Sequence, residues 1–309
     1  MRALATTVIL VAACHGAAAT SDAPQGDATV ADAAAQVCMA GGIPGTCLDI
    51  SVCHGSRQSA GSLACTGANM QCCTPSFAAG VTCDPNATPT PNDGLVEEAG
   101  DAGCPAGMAK VTTYCIDRFE ASLVTDTGTW SPYFFPGGQS VKAASLRAAV
   151  PQAFISQLEA KAACAAAGKR MCSDVEWLRA CQGSANQTYP YGNTRMPGVC
   201  NDARAVQPEV ELYGTTAPWI ADHLDSPCLD QEADGLARTG AGAGCVTAEG
   251  VFDMMGNVHE WTDNPTGTLR GGDYVDTVSD GNGCLYATTA HDPTYWDYST
   301  GFRCCADAQ

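Results

Sequence analysis

The chain has 309 residues, enough for one large domain plus a smaller unit, and enough to bury a core without disulfides. Its 33 acidic against 15 basic residues leave a net charge of −18, which disfavours nucleic acid and anionic headgroups as partners. No nucleophile elbow, Walker loop, zinc-protease helix or dinucleotide-binding glycine pattern occurs, which removes those enzyme classes.

In chain order, residues 1–13 read as a signal peptide: Met1-Arg2, then an apolar and small run from Ala3 to Ala13. Eleven residues are too few to span a bilayer, which takes about 20. Val11-Ala12-Ala13-Cys14 resembles a bacterial lipobox, so Cys14 is the expected lipidation site; ordinary cleavage near Ala17-Ala18-Ala19 is the alternative. Setting Cys14 aside leaves 18 of the 19 cysteines, an even number that disulfides can consume in an oxidising compartment. The expected location is therefore outside the cytoplasm, as a bacterial cell-envelope lipoprotein or a secreted protein, with membrane contact only through a lipid at Cys14. Residues 14–36 are mostly Ala, Asp, Ser, Thr and Gly, a flexible tether.

Residues 37–74 carry Cys38, Cys47, Cys53, Cys65, Cys72 and Cys73, which predicts a small module held by disulfides. Its spacing is similar to that of clip domains, and its connectivity is open, since six cysteines allow 15 pairings. Residues 75–103, rich in Pro, Asn, Asp, Thr and Gly, read as a linker, and the main domain spans 104–309. Within it, Phe154 to Ala167 predicts a helix with Phe154, Leu158 and Ala162 on one face, stopped by Gly168. Ser173-Asp174-Val175-Glu176 is a capping box opening a second helix that presents Trp177 and Cys181 and ends at Gly183. Beyond residue 185 the chain reads as loops and short strands.

Six short motifs follow one another in this domain. They are Tyr114 to Ser122 (YCIDRFEAS), Ala163 to Trp177 (ACAAAGKRMCSDVEW), Tyr189 to Asn193 (YPYGN), Phe252 to Thr262 (FDMMGNVHEWT), Leu269 to Tyr274 (LRGGDY) and Gly301 to Cys304 (GFRC). In that order and spacing they resemble the formylglycine-generating enzymes (sulfatase-modifying factors) over residues 104–305. The resemblance implies an α+β, loop-rich C-type-lectin-like variant of that family's fold. It also implies disulfides from Cys164 to Cys304 and from Cys181 to Cys284. A Cys228–Cys245 pair is a further expectation, from proximity alone.

The family is a copper-dependent oxidase that converts cysteine to formylglycine with two cysteines five residues apart, after the strand that LRGGDY matches. The matching positions here are Asp276 and Gly281, so the soft ligand pair that suits Cu(I) is missing and copper is not expected. Calcium is the expected ligand. Asp253, Gly256, Val258 and Glu260 match the family's calcium loop, two side chains and two backbone carbonyls, and Asn201 matches part of a second site; hard oxygens suit that ion. The competing reading pairs Asp253 and Glu260 with Arg270 or Arg303. His223, His259 and His291 are candidates for iron, and Asp276, Asp280 and Asn282 for another cation. The aromatics Trp130, Tyr133, Phe134, Phe135, Tyr295, Trp296 and Tyr298 suit either a ligand groove or a loop-rich core. The function these features imply is an exported, calcium-stabilised, non-catalytic binding or scaffold protein for a protein, peptide or polysaccharide ligand. The alternative is an oxidoreductase acting through other residues, with a metal at His291 or Asp276.

Overall fold

A computed structural model of the chain describes residues 36–40, 43–50, 53, 57–63 and 65–309. The signal peptide, Cys14 and residues 15–35 of the tether lie outside the described residues. The strands, in chain order, are β1 (Val37–Ala40), β2 (Ile43–Asp49), β3 (Arg57–Ser59), β4 (Met70–Pro75), β5 (Met108–Val111), β6 (Tyr114–Asp117), β7 (Ala121–Val124) and β8 (Lys142–Ser145). There follow β9 (Arg170–Met171), β10 (His259–Thr262), β11 (Thr268–Arg270), β12 (Ala287–Thr288), β13 (Thr300–Phe302) and β14 (Cys304–Asp307). Helices are α1 (Gln157–Ala166), α2 (Asp174–Gln182) and the short α3 (Pro208–Tyr213).

The N-terminal module is a four-stranded sheet in the order β1-β2-β4-β3. Its core is sulfur: Cys38–Cys72, Cys47–Cys65 and Cys53–Cys73 are disulfides, and Cys38, Cys47 and Cys72 are buried. A unit this small has too little apolar surface to hold itself, and cross-links replace the missing core.

The main domain stacks short sheets. One runs β5-β6-β14-β9, another β12-β11-β10-β13, and β7 pairs with β8. β10 sits centrally, antiparallel to β11 and parallel to β13, so that Trp261 faces Leu269 on one side and Phe302 on the other. Trp177 from α2 packs with Ile116 and Met254 in a neighbouring cluster. The C-terminal strands thereby close over the two helices.

α2 forms because its ends are satisfied locally. Ser173 accepts from the Glu176 amide, the Glu176 carboxylate accepts from the Ser173 amide, and Gly183 follows with φ +61°. α1 departs from expectation. It starts three residues late, capped by Ser156, because Phe154 adopts φ +50° in the turn before it. Its buried residues are Gln157, Ala160, Ala163 and Cys164, whereas Leu158 is 52% exposed. Tertiary bonds choose the face: Gln157 Nε2 donates to the carbonyls of Thr262 and Asn264, and Cys164 is bonded to Cys304.

The stretch 75–103, expected as a linker, is instead a strap laid along the domain. Phe77 packs against Tyr213, and the Ala78 amide donates to the Leu212 carbonyl. Asn92, 1% exposed, pairs with both backbone groups of Val150 at 2.8 Å. Glu97 receives Lys169 and Glu98 receives Arg147. Polar residues with little to bury stay ordered here because their side chains satisfy backbone groups far away in sequence.

Nine disulfides use all eighteen cysteines of the described residues. In the main domain they join Cys104 to Cys115, Cys164 to Cys304, Cys172 to Cys305 and Cys181 to Cys284. The expected Cys228–Cys245 pair does not form: Cys228 bonds Cys83 of the strap, and Cys245 bonds Cys200. Disulfides in this number belong to an oxidising, extracytoplasmic environment. No helix among the described residues is long and apolar enough to cross a membrane.

Candidate functional site

After β11 the chain turns through Gly271 and Gly272, both at positive φ. A Cβ on Gly272 would lie 2.1 Å from the Asp276 carbonyl, so the turn requires glycine. Asp273 is buried beneath it and accepts the amides of Val275 and Asp276 at 2.9 and 2.7 Å. Asp276 repeats the device with the amides of Val278 and Ser279, both at 3.0 Å. Burial raises the Asp276 carboxyl, but those backbone bonds outweigh it and hold it below the usual range. Gly281 has φ +119°, and a Cβ there would sit 2.5 Å from the Leu285 carbonyl. Position 281 therefore refuses a side chain in this backbone, and Cys284 is committed to Cys181.

His259, at the start of β10, faces this loop. Its Nδ1 lies 3.2 Å from Ser299 Oγ and its Nε2 3.2 Å from the Tyr286 hydroxyl. Ser299 donates to Asp297 at 2.8 Å, and Tyr286 to Asp276 at 3.4 Å. His291 stacks on Tyr295 instead, and His223 packs against Trp219. The three histidines have separate surroundings. Among the described residues, the one group of three or more His, Cys, Asp or Glu whose ligand atoms converge is Cys38, Cys47 and Cys65, all in disulfides.

The segment Asp253 to Glu260 is a turn running into β10, with Asp253, Gly256 and Asn257 at positive φ. Glu260, 1% exposed, takes Arg303 on both oxygens at 2.6 Å and Trp177 Nε1 on Oε2 at 2.6 Å. Arg303 is fully buried and also donates to the Asp117 and Phe252 carbonyls. Arg270 turns away to Asp174. Asp253 Oδ2 accepts the Gly240 amide at 2.6 Å. Asn201 Nδ2 donates to Asn257 Oδ1 and to the Gly235 carbonyl.

A third carboxylate, Glu120, joins them, accepting Asn257 Nδ2 at 2.6 Å and the Val258 amide at 3.2 Å. Burial pushes the Asp253 carboxyl up to about 6 and lifts that of Glu120 well above the usual range, each aided by the neighbouring acids. Three buried carboxylates thus face one guanidinium. The donor set suits a hard cation in part: Asp253 Oδ1 and the carbonyls of Gly256 and Val258 are of the right chemistry, but most of Glu260 is already engaged by Arg303 and Trp177. Glu120 escaped sequence reasoning, since a glutamate in a strand-like motif carries no sign of burial.

Residues 124–308 match the model of the sulfatase-modifying factor enzyme 1-like domain, more than half of the chain. The chain belongs to that family. It is 30% identical over 175 residues to the inactive C-alpha-formylglycine-generating enzyme 2 of Bos taurus, covering 51% of this chain and 50% of that protein. Against the formylglycine-generating enzyme of Mus musculus it is 28% identical over 183 residues, covering 51% and 44%. The chain thus spans about half the length of the curated relatives it matches. Among solved structures, PvdO from Pseudomonas aeruginosa aligns at 14% identity and TM-score 0.40, over 63% of this chain and 80% of that one.

Proposed function

We propose that this family member is an exported, non-catalytic binding or scaffold protein on the loop-rich C-type-lectin-like variant of the family fold. The observation that carries the reading is at position 281. The thiol pair of the oxidase would fall at Asp276 and Gly281; the first is a carboxylate held by backbone amides, and the second has no room for a side chain. The relatives named inactive support the same view. A cysteine-containing peptide incubated with the purified chain, Cu(I) and oxygen is expected to remain unconverted by mass spectrometry. Formylglycine formation, or stoichiometric copper or iron in the purified protein, would sink the proposal.

Calcium belongs to the same proposal, at Asp253 and the carbonyls of Gly256 and Val258, with the remaining lone pair of Glu260 and with Asn201 in a second site. A bound divalent cation would relieve the excess negative charge that Glu120, Asp253 and Glu260 keep beside Arg303. Thermal melts with calcium and with a chelator test it: a higher melting temperature in calcium is expected, lost in Asp253→Asn. The cell-envelope location with a lipid on Cys14 is proposed from the signal; the mass of the mature N-terminus decides it, a diacylglyceryl-cysteine being expected.

A further inference from the structure

The strap makes its first covalent tie to the main domain at Cys83. The three disulfides of the N-terminal module close within it, and β4 ends at Pro75. Just beyond, Phe77 lies 5.9 Å from Tyr213 and the Ala78 amide donates to the Leu212 carbonyl at 2.7 Å. Cys83 then bonds Cys228 across 145 positions. From 84 to 91 no residue is buried, and the hydrogen bonds among the described residues are local. Asp84 takes the Asn86 and Ala87 amides, and Thr90 donates to Asp93. The next tie to the domain is Asn92 with Val150.

This bond is open from one side. Cys83 is half-exposed, Cys228 is buried, and both line an open cavity of about 320 Å³. The acids of that cavity, Glu211 and Glu232, both pair with Arg204, so part of their charge is already balanced where an anionic thiolate approaches. Thiol–disulfide exchange begins with a thiolate reaching a sulfur. Six of the other disulfides have both residues buried, among them Cys164–Cys304, Cys172–Cys305 and Cys181–Cys284. Cys47–Cys65 and Cys104–Cys115 each have one half-exposed residue, but they bridge only 18 and 11 positions. Cys47 stands in β2 and Cys115 in β6, and their partners lie in segments pinned nearby: Gln36 accepts the Thr66 amide, and the Gly103 carbonyl accepts the Gln309 amide. Those sulfurs stay adjacent after reduction and reclose, whereas Cys83 sits on a segment with few other ties.

We propose that Cys83–Cys228 is a reducible clasp, opened by a dithiol reductant to free residues 76–91 from the main domain. The attacking thiolate bonds Cys83 Sγ as the Cys83–Cys228 bond breaks, and Cys228 leaves as a thiolate that takes up a proton. The second thiol of the reductant then displaces Cys83, which takes up another proton. The dithiol is oxidised to a disulfide and the two cysteines are reduced to thiols, a two-electron exchange. Phe77 and one amide bond are then too little to order a segment this polar. Residues 76–91 become a tether between the module and the Asn92 anchor, reaching roughly 20–25 Å as a flexible chain. None of these residues belongs to the 253–260 turn or the 273–283 loop, so the clasp is independent of the non-catalytic reading.

Graded dithiothreitol on the full chain, followed by N-ethylmaleimide trapping and peptide mass spectrometry, reads which pair opens first. Cys83 and Cys228 are expected to be labelled together, at about tenfold less dithiol than any other pair. At that stage subtilisin is expected to cut within 76–91 while 92–103 and the main domain stay protected. The double variant Cys83→Ser with Cys228→Ser is expected to be cut at the same place without reductant and to keep its other disulfides. Partial reduction of the parent carries the test if that variant does not fold. First labelling of another pair, or a segment 76–91 that stays protected once Cys83 and Cys228 are reduced, would each overturn the proposal.

Discussion

Arg303 concentrates the charge logic of the domain in one side chain. It is the guanidinium that Glu260 engages, with Asp253 and Glu120 close by. Breaking a buried pair by removing one partner leaves an uncompensated charge, typically at a cost of about 3–5 kcal/mol. Arg303→Met is therefore expected to lower unfolding free energy by that amount in urea titrations, and millimolar calcium to restore part of it. Gly281→Ala tests the turn that excludes the thiol: a positive φ and a contact at 2.5 Å predict a loss of about 1–3 kcal/mol. The glycine and the GFR arginine are visible in the sequence. That Glu260 chooses Arg303 rather than Arg270 is not, because both are equally plausible until β10, β11 and β13 are assembled.

Elements whose reasons are local were legible, and those with remote reasons were not. The capping box of α2 is written in four residues, and Ser173→Ala is expected to cost about 1 kcal/mol by thermal unfolding. α1 was legible as a helix but not in its orientation, since apolar spacing pointed to Leu158 and the Cys164–Cys304 and Gln157 bonds turned it elsewhere. The strap has the composition of a loop, so nothing in its sequence announces the contacts that hold it. Its order depends on Asn92, Glu97 and Cys83 finding partners 58, 72 and 145 positions away. Asn92→Leu would leave the buried Val150 amide unpaired, and its carbonyl with only the Ser122 hydroxyl, costing roughly 1–3 kcal/mol for the amide. Limited proteolysis is expected to cut within 76–103 in that variant and to spare the parent.

Over the whole molecule, stability is expected to change with pH in a direction set by buried acids. Burial raises Glu232 to about 7, and lifts Asp230 well above its usual range. An acid whose folded pKa exceeds its unfolded one binds its proton more readily in the native state. Stability from such groups is full below the unfolded pKa, near 4 to 4.5, and fades as pH rises through the folded one. Carboxylates held low, such as Glu98 beside Arg147 and Glu176 in the α2 cap, work oppositely and lose their contribution below about pH 4. Melting temperature is therefore expected to be higher at pH 5 than at pH 8 and to fall again in strong acid. A melting temperature that climbs from pH 5 to 8 would contradict this balance.

The sequence alone determined the family, the cysteine-rich composition, the capped helix and the absence of the oxidase's thiol pair, because each is carried by residue identity or spacing. Tertiary structure alone decided which cysteines bond across the strap, which cation faces Glu260, why position 281 admits no side chain, and that Asp230 ends buried beneath the Tyr274 hydroxyl. Those outcomes depend on distances between segments far apart in the chain, and a loop-rich fold has little periodicity from which such distances could be read.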